Sequence, residues 1–100
     1  MVMKTASEWE VRLTKSLEAS KIPERMYGGI IRYIITSIHP GDFLCAIITN
    51  NLKGAFTTAD DENQLIVRDY VQWFYNHAPG SCWGSKEAMS NWTGTNKGGG

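Results

Sequence analysis

Between Met26 and Ile38 the chain sets Met26, Tyr27, Ile30, Ile31, Ile34, Ile35 and Ile38 at intervals of three and four. On a helix of about 3.6 residues per turn these positions share one broad face. A face so wide and so apolar has to be covered by the rest of the fold, so the stretch predicts a central core helix. Pro23 suits the first turn of such a helix, where no backbone N–H is needed.

The remaining segments follow the same period. Ser7 with Glu8 and Glu10 reads as a helix start, with Trp9, Leu13 and Leu17 as a thin apolar stripe ending near Ser20. So thin a stripe predicts a peripheral helix over residues 1–21, or one completed by a partner. His39, Pro40 and Gly41 punctuate the chain, and Asp42 is positioned to cap a third helix carrying Phe43, Leu44, Ile47, Ile48, Leu52, Ala55 and Phe56. Phe43 to Thr49 alone would pass as a buried strand; the phase that runs on through Phe56 favours a helix. Asp60 and Asp61 open a fourth, with Ile66, Tyr70, Trp73, Phe74 and His77 on one face and Leu65, Val67 and Val71 widening it. Pro79 and Gly80 end it. Ser85 caps a short last helix with Ala88, Met89 and Trp92 inward, and Gly94 closes it. The expected fold is all-α, a compact bundle or orthogonal array of four to five helices, with residues 1–94 as one domain and 95–100 as a flexible tail.

Charge narrows the possible partners. Ten basic residues balance ten acidic ones, which disfavours a protein that grips duplex nucleic acid by neutralising phosphates. Met1 to Val11 lacks the apolar centre of a secretory signal, and Ile30 to Ile38 is too short to span a bilayer. The expectation is a cytosolic protein with Cys45 and Cys82 as free thiols.

No catalytic motif is visible. Cys82 with His77 would need a thiolate, a base and an orienting group such as Asp69 or Asn76; a small buried cysteine explains Cys82 as well. His39, His77, Cys45 and Cys82 lack the short-range pairing of structural zinc sites, and Asp60, Asp61 and Glu62 are accounted for by helix-start electrostatics. No metal and no cofactor are expected.

Binding chemistry is better represented. Arg25, Gly28, Gly29 and Arg32 fall on one helix face, where two guanidinium groups flank bare backbone suited to phosphate or to a close helix crossing. His39 beside a helix N-terminus could meet an anion. Tyr75 or Trp83 could stack a base, and Asn50, Asn51 or Asn76 could read its polar edge.

Ile22-Pro23-Glu24-Arg25-Met26, His39-Pro40-Gly41-Asp42-Phe43-Leu44, Asn50-Asn51-Leu52, Ala59-Asp60-Asp61-Glu62-Asn63, Trp73-Phe74-Tyr75-Asn76-His77-Ala78-Pro79 and Cys82-Trp83-Gly84-Ser85 together resemble a family of small, largely uncharacterised proteins of tailed phages and prophages. The resemblance covers about residues 22 to 92. It implies a non-virion phage protein acting in the host bacterial cytoplasm, and carries over no catalytic role. By association it points to an antagonist of host defence. The leading expectation is a homo-oligomer that sequesters a small nucleotide-like immune signal through Arg25, Arg32, His39, Asn50, Asn51, Tyr75, Asn76 and Trp83. The alternative is an inhibitor that docks directly on a defence complex such as a CRISPR effector, with the Trp9/Leu13/Leu17 stripe as its contact.

Overall fold

The computed structural model describes residues 6–95, and within them the chain is all-α. Its helices are α1 (Ala6–Glu18), α2 (Tyr27–Thr36), α3 (Asp42–Ile48), α4 (Leu52–Thr58), α5 (Asp61–Leu65), α6 (Val67–His77) and α7 (Lys86–Asn91), with single 3-10 turns at Glu24–Met26 and Gly80–Cys82. The expected tail lies, but for Thr95, outside the described residues.

The isoleucine helix is the centre of the fold. Ile30, Tyr33 and Ile34 of α2 are fully buried. The helix stops where Ser37 enters the left-handed region at φ 59° and its N–H returns to the Tyr33 carbonyl. Ile38 lies beyond that stop and is 54% exposed, so the apolar face ends at Ile35 and not at Ile38 as expected.

Helix α1 is not peripheral. Leu13 and Leu17 are buried, the Trp73 indole N–H donates to Ser16 Oγ at 2.9 Å, and the Tyr27 hydroxyl donates to the Leu17 carbonyl at 3.1 Å. The stripe is thin because α1 needs only one row of leucines to seal the core between α2 and α6. Ser20 then closes the helix, its Oγ donating to the Leu17 carbonyl and accepting from Ile22 N.

Two segments expected as single helices are each divided. Asn50 sits at φ 63°, in the left-handed region that asparagine tolerates better than most residues, and breaks the third helix into α3 and α4. Asn51 then caps α4, its Oδ1 accepting from Gly54 N at 2.9 Å. Ile66, at φ −125°, breaks the fourth into α5 and α6. Asp60 caps α5 by accepting from Asn63 N at 2.9 Å. At α3 the cap position belongs to Gly41, and Asp42 is the first helical residue.

Among the described residues the buried polar side-chain atoms are paired, Thr95 Oγ1 excepted. The Tyr33 hydroxyl donates to the Cys82 carbonyl, the Tyr70 hydroxyl donates to Asn63 Oδ1, and the Trp92 indole N–H donates to the carbonyls of Tyr33 and Ile34 at the end of α2. Ser85 caps α7 as expected, accepting from Ala88 N at 3.0 Å. Gly94, at φ 90°, passes so close to α2 that a Cβ there would collide with the Ile35 carbonyl oxygen.

Candidate functional site: an apolar groove

The two helix breaks create the most distinctive surface of the molecule. On α4, Leu52 and Phe56 stand one turn apart and both stay exposed, while Ala55 between them is buried. The Gln64 side-chain amide donates to the Phe56 carbonyl at 3.0 Å and ties α5 to the end of α4. Beyond Leu65 the kink at Ile66 starts a new helix, and the Leu65 side chain is left 86% exposed. Helix α6 contributes Val67, Arg68, Val71, Gln72 and Tyr75. Together these residues line an open groove of about 620 Å³.

Position and angle are set from inside. Val67 is buried at the root of the groove, and the Tyr70–Asn63 hydrogen bond of 2.6 Å joins α6 to α5 beneath the surface. Phe43 packs edge-on against Tyr70, with ring centroids 4.9 Å apart. Among the described residues, Leu52, Phe56, Leu65, Val71 and Tyr75 are five of the seven large apolar side chains that remain exposed, and all five face this groove.

The residues expected to bind a nucleotide are dispersed. Arg25 belongs to the 3-10 turn, and its guanidinium is held by Asp60 at 2.8 Å and Glu62 at 2.9 Å. Arg32 is exposed on α2 and lies over Gly28, while a Cβ on Gly29 would touch Leu44 and approach Pro40. The expected bare backbone is thus covered, by the Arg32 side chain at one glycine and by a helix crossing at the other. His39 is exposed beside the Tyr33 ring, and Trp83 is half-buried against Phe74 with ring centroids 5.5 Å apart. Asn50 makes the left-handed corner, and Asn51 spends its Oδ1 on the α4 cap. Of the eight, Tyr75 lies in the groove, Asn76 in a separate polar crevice of about 300 Å³ between α1 and α6, and Asn51 in a third cavity of about 440 Å³ beside α3 and α4. None of the cavities described gathers two of them.

Comparison with family models, with curated proteins and with solved structures finds no match.

The titratable groups point away from the Cys82–His77 pairing. Cys82 is fully buried, and burial pushes its thiol up to about 12, so it is protonated at neutral pH and offers no thiolate. His77 is exposed and leans on the Trp73 ring at 5.9 Å. Among the described residues no three His, Cys, Asp or Glu side chains are placed to hold a metal ion, and no helix is long and apolar enough to cross a membrane.

Sequence reasoning missed the groove because it assigned Leu52, Phe56, Leu65 and Val71 to the core. The signal that could have exposed them is the Asn50-Asn51 pair. An asparagine pair before Leu52 marks a corner and a new cap, and restarting the helix there turns the face that follows.

Proposed function

We propose that this protein acts by binding, and that it docks a partner polypeptide in the groove between α4 and α6. One observation carries the reading: five of the seven exposed large apolar side chains among the described residues converge on a single concavity. Scattered exposed hydrophobics are ordinary on soluble domains, whereas a contiguous apolar patch marks an interaction surface. The groove is open, and its polar lining is limited to Gln64, Arg68 and Gln72, so apolar anchors of a partner suit it better than a phosphate-bearing nucleotide. In the host bacterial cytoplasm, the setting that the phage resemblance implies, the partner would be a component of a defence complex.

Affinity capture from a host lysate tests this reading. The protein should retain one partner stoichiometrically, and the Phe56→Ser/Leu65→Ser variant, folded by circular dichroism, should lose it. Equal capture by both would overturn the assignment of the groove.

A second reading, sequestration of a nucleotide-like ligand, has one feature in its favour. The crevice between α1 and α6 brings Asn76 together with Lys21, His77 and the Trp73 indole, with the Asp69 carboxylate also in its lining. A smaller adjoining cavity shares Asn76 and His77 and adds Arg12, whose guanidinium lies 5.0 Å from the Trp9 ring. Calorimetric titration with cyclic and ADP-ribose-derived nucleotides tests it, with Asn76→Ala as the variant expected to lose the heat. Silence across the panel removes this reading and leaves the groove untouched.

A further inference from the structure

Resting on the docking reading above, we infer that the groove receives an amphipathic helix of the partner whose apolar stripe is bordered by carboxylates. The walls have the spacing that a helix reads. Leu52 and Phe56 stand one turn apart on α4, and Arg68, Val71 and Tyr75 stand at intervals of three and four on α6. Such rows accept anchors placed at i, i+3 or i+4 and i+7 on an inserted helix.

Charge selects among possible helices. Arg68 is the one charged side chain lining the groove. Among the described residues the ion pairs are those of Arg25 with Asp60 and Glu62, so Arg68 has no carboxylate of its own. Lys53 is exposed on α4 beside Leu52, three residues before Phe56, and is likewise unpaired. The other polar lining is Gln64 and Gln72, both uncharged. Asp61 and Glu62 place negative charge at the start of α5, and Asp69 of α6 lines the crevice with α1 and not the groove, so the incoming carboxylates belong beside Lys53 and Arg68. A basic helix would meet two unpaired cations, whereas an acidic one would supply the partners they lack.

The test uses the full chain and two fluorescein-labelled peptides of about 18 residues, past the length at which an alanine-rich helix is marginal in water. Both carry leucines at i, i+3, i+4 and i+7; one borders them with glutamates and the other with lysines. Fluorescence anisotropy at low salt should show the acidic peptide bound about three- to tenfold more tightly, the range of one or two exposed charge pairs. Arg68→Glu should remove or reverse that preference, and Phe56→Ser should weaken both peptides alike. Equal binding of the two peptides, or tighter binding of the basic one, overturns the acidic occupant while the docking reading stands. If neither peptide binds and Phe56→Ser splits a dimer seen by sedimentation, the groove is filled by a second copy and both ideas fall. If neither binds and the protein is monomeric, both fall as well.

Discussion

The Tyr33 hydroxyl donates to the Cys82 backbone carbonyl at 2.6 Å, linking the central helix to a turn that lies 49 residues further along the chain. Both residues are fully buried, so no solvent competes for the bond. Tyr33→Phe keeps the ring and leaves that carbonyl without its donor. The expected loss is about 1–3 kcal/mol, read from the urea midpoint at unchanged slope. A variant as stable as the parent would mean that the carbonyl finds another donor.

Gly94 supports the same end of the fold. At φ 90°, with the Ile35 carbonyl oxygen where a Cβ would be, Gly94→Ala is strained in backbone and contact alike. Thermal unfolding should register a loss on the order of 1–3 kcal/mol or more. Gly80, which has nothing within 4 Å of an added Cβ and no positive φ, is the control; Gly80→Ala should stay within about 0.5 kcal/mol of the parent.

Arg25 makes two ion pairs, yet its side chain is 46% exposed and those of Asp60 and Glu62 are 55% and 61% exposed. Water and salt screen such pairs. Arg25→Ala should therefore cost no more than about 1 kcal/mol, and the difference from the parent should vanish near 1 M salt. A larger loss that salt leaves intact would show that the guanidinium stabilises the turn by packing.

Alkaline pH should weaken the fold through groups that burial keeps protonated. The phenols of Tyr33 and Tyr70 are held well above their ordinary 10.0, chiefly by desolvation, and the Cys82 thiol is pushed from 9.0 up to about 12 by the same cause. The unfolded chain releases these protons first, so between the unfolded and folded values the native state binds more of them. Their contribution is complete below pH 9.0 and declines as pH rises through the window above it. Urea midpoints measured across that window should fall, and Tyr70→Phe should fall less steeply than the parent. Parallel slopes would show that Tyr70 ionises in the native state as readily as in the unfolded one.

Much of the architecture was legible because burial writes itself into period. The α2 isoleucines, the Trp73-Phe74 pair and the caps at Asp60 and Ser85 stand where helical spacing and capping chemistry put them. The breaks at Asn50 and Ile66 were not legible from spacing alone. Leu52 and Phe56 keep the phase of α3 by coincidence, although α4 runs in a new direction after the left-handed corner. The site was hidden by the same coincidence, since apolar residues in phase with a core face are read as core. Helix α1 misled in the opposite sense: a single leucine row looked unfinished, yet Leu17 is as buried as any residue of α2 and Leu13 nearly so.

The short helix α5 is fastened from beneath by Asn63 and at its side by Gln64, while Leu65 points outward. Fastening and display are thus divided among neighbouring residues. Because exposed positions usually tolerate exchange within about 0.5 kcal/mol, the outward side chains of α4, α5 and α6 can be swapped with little danger of unfolding. A lineage facing a target that changes its shape could therefore re-cut this surface one residue at a time, on a scaffold that stays the same.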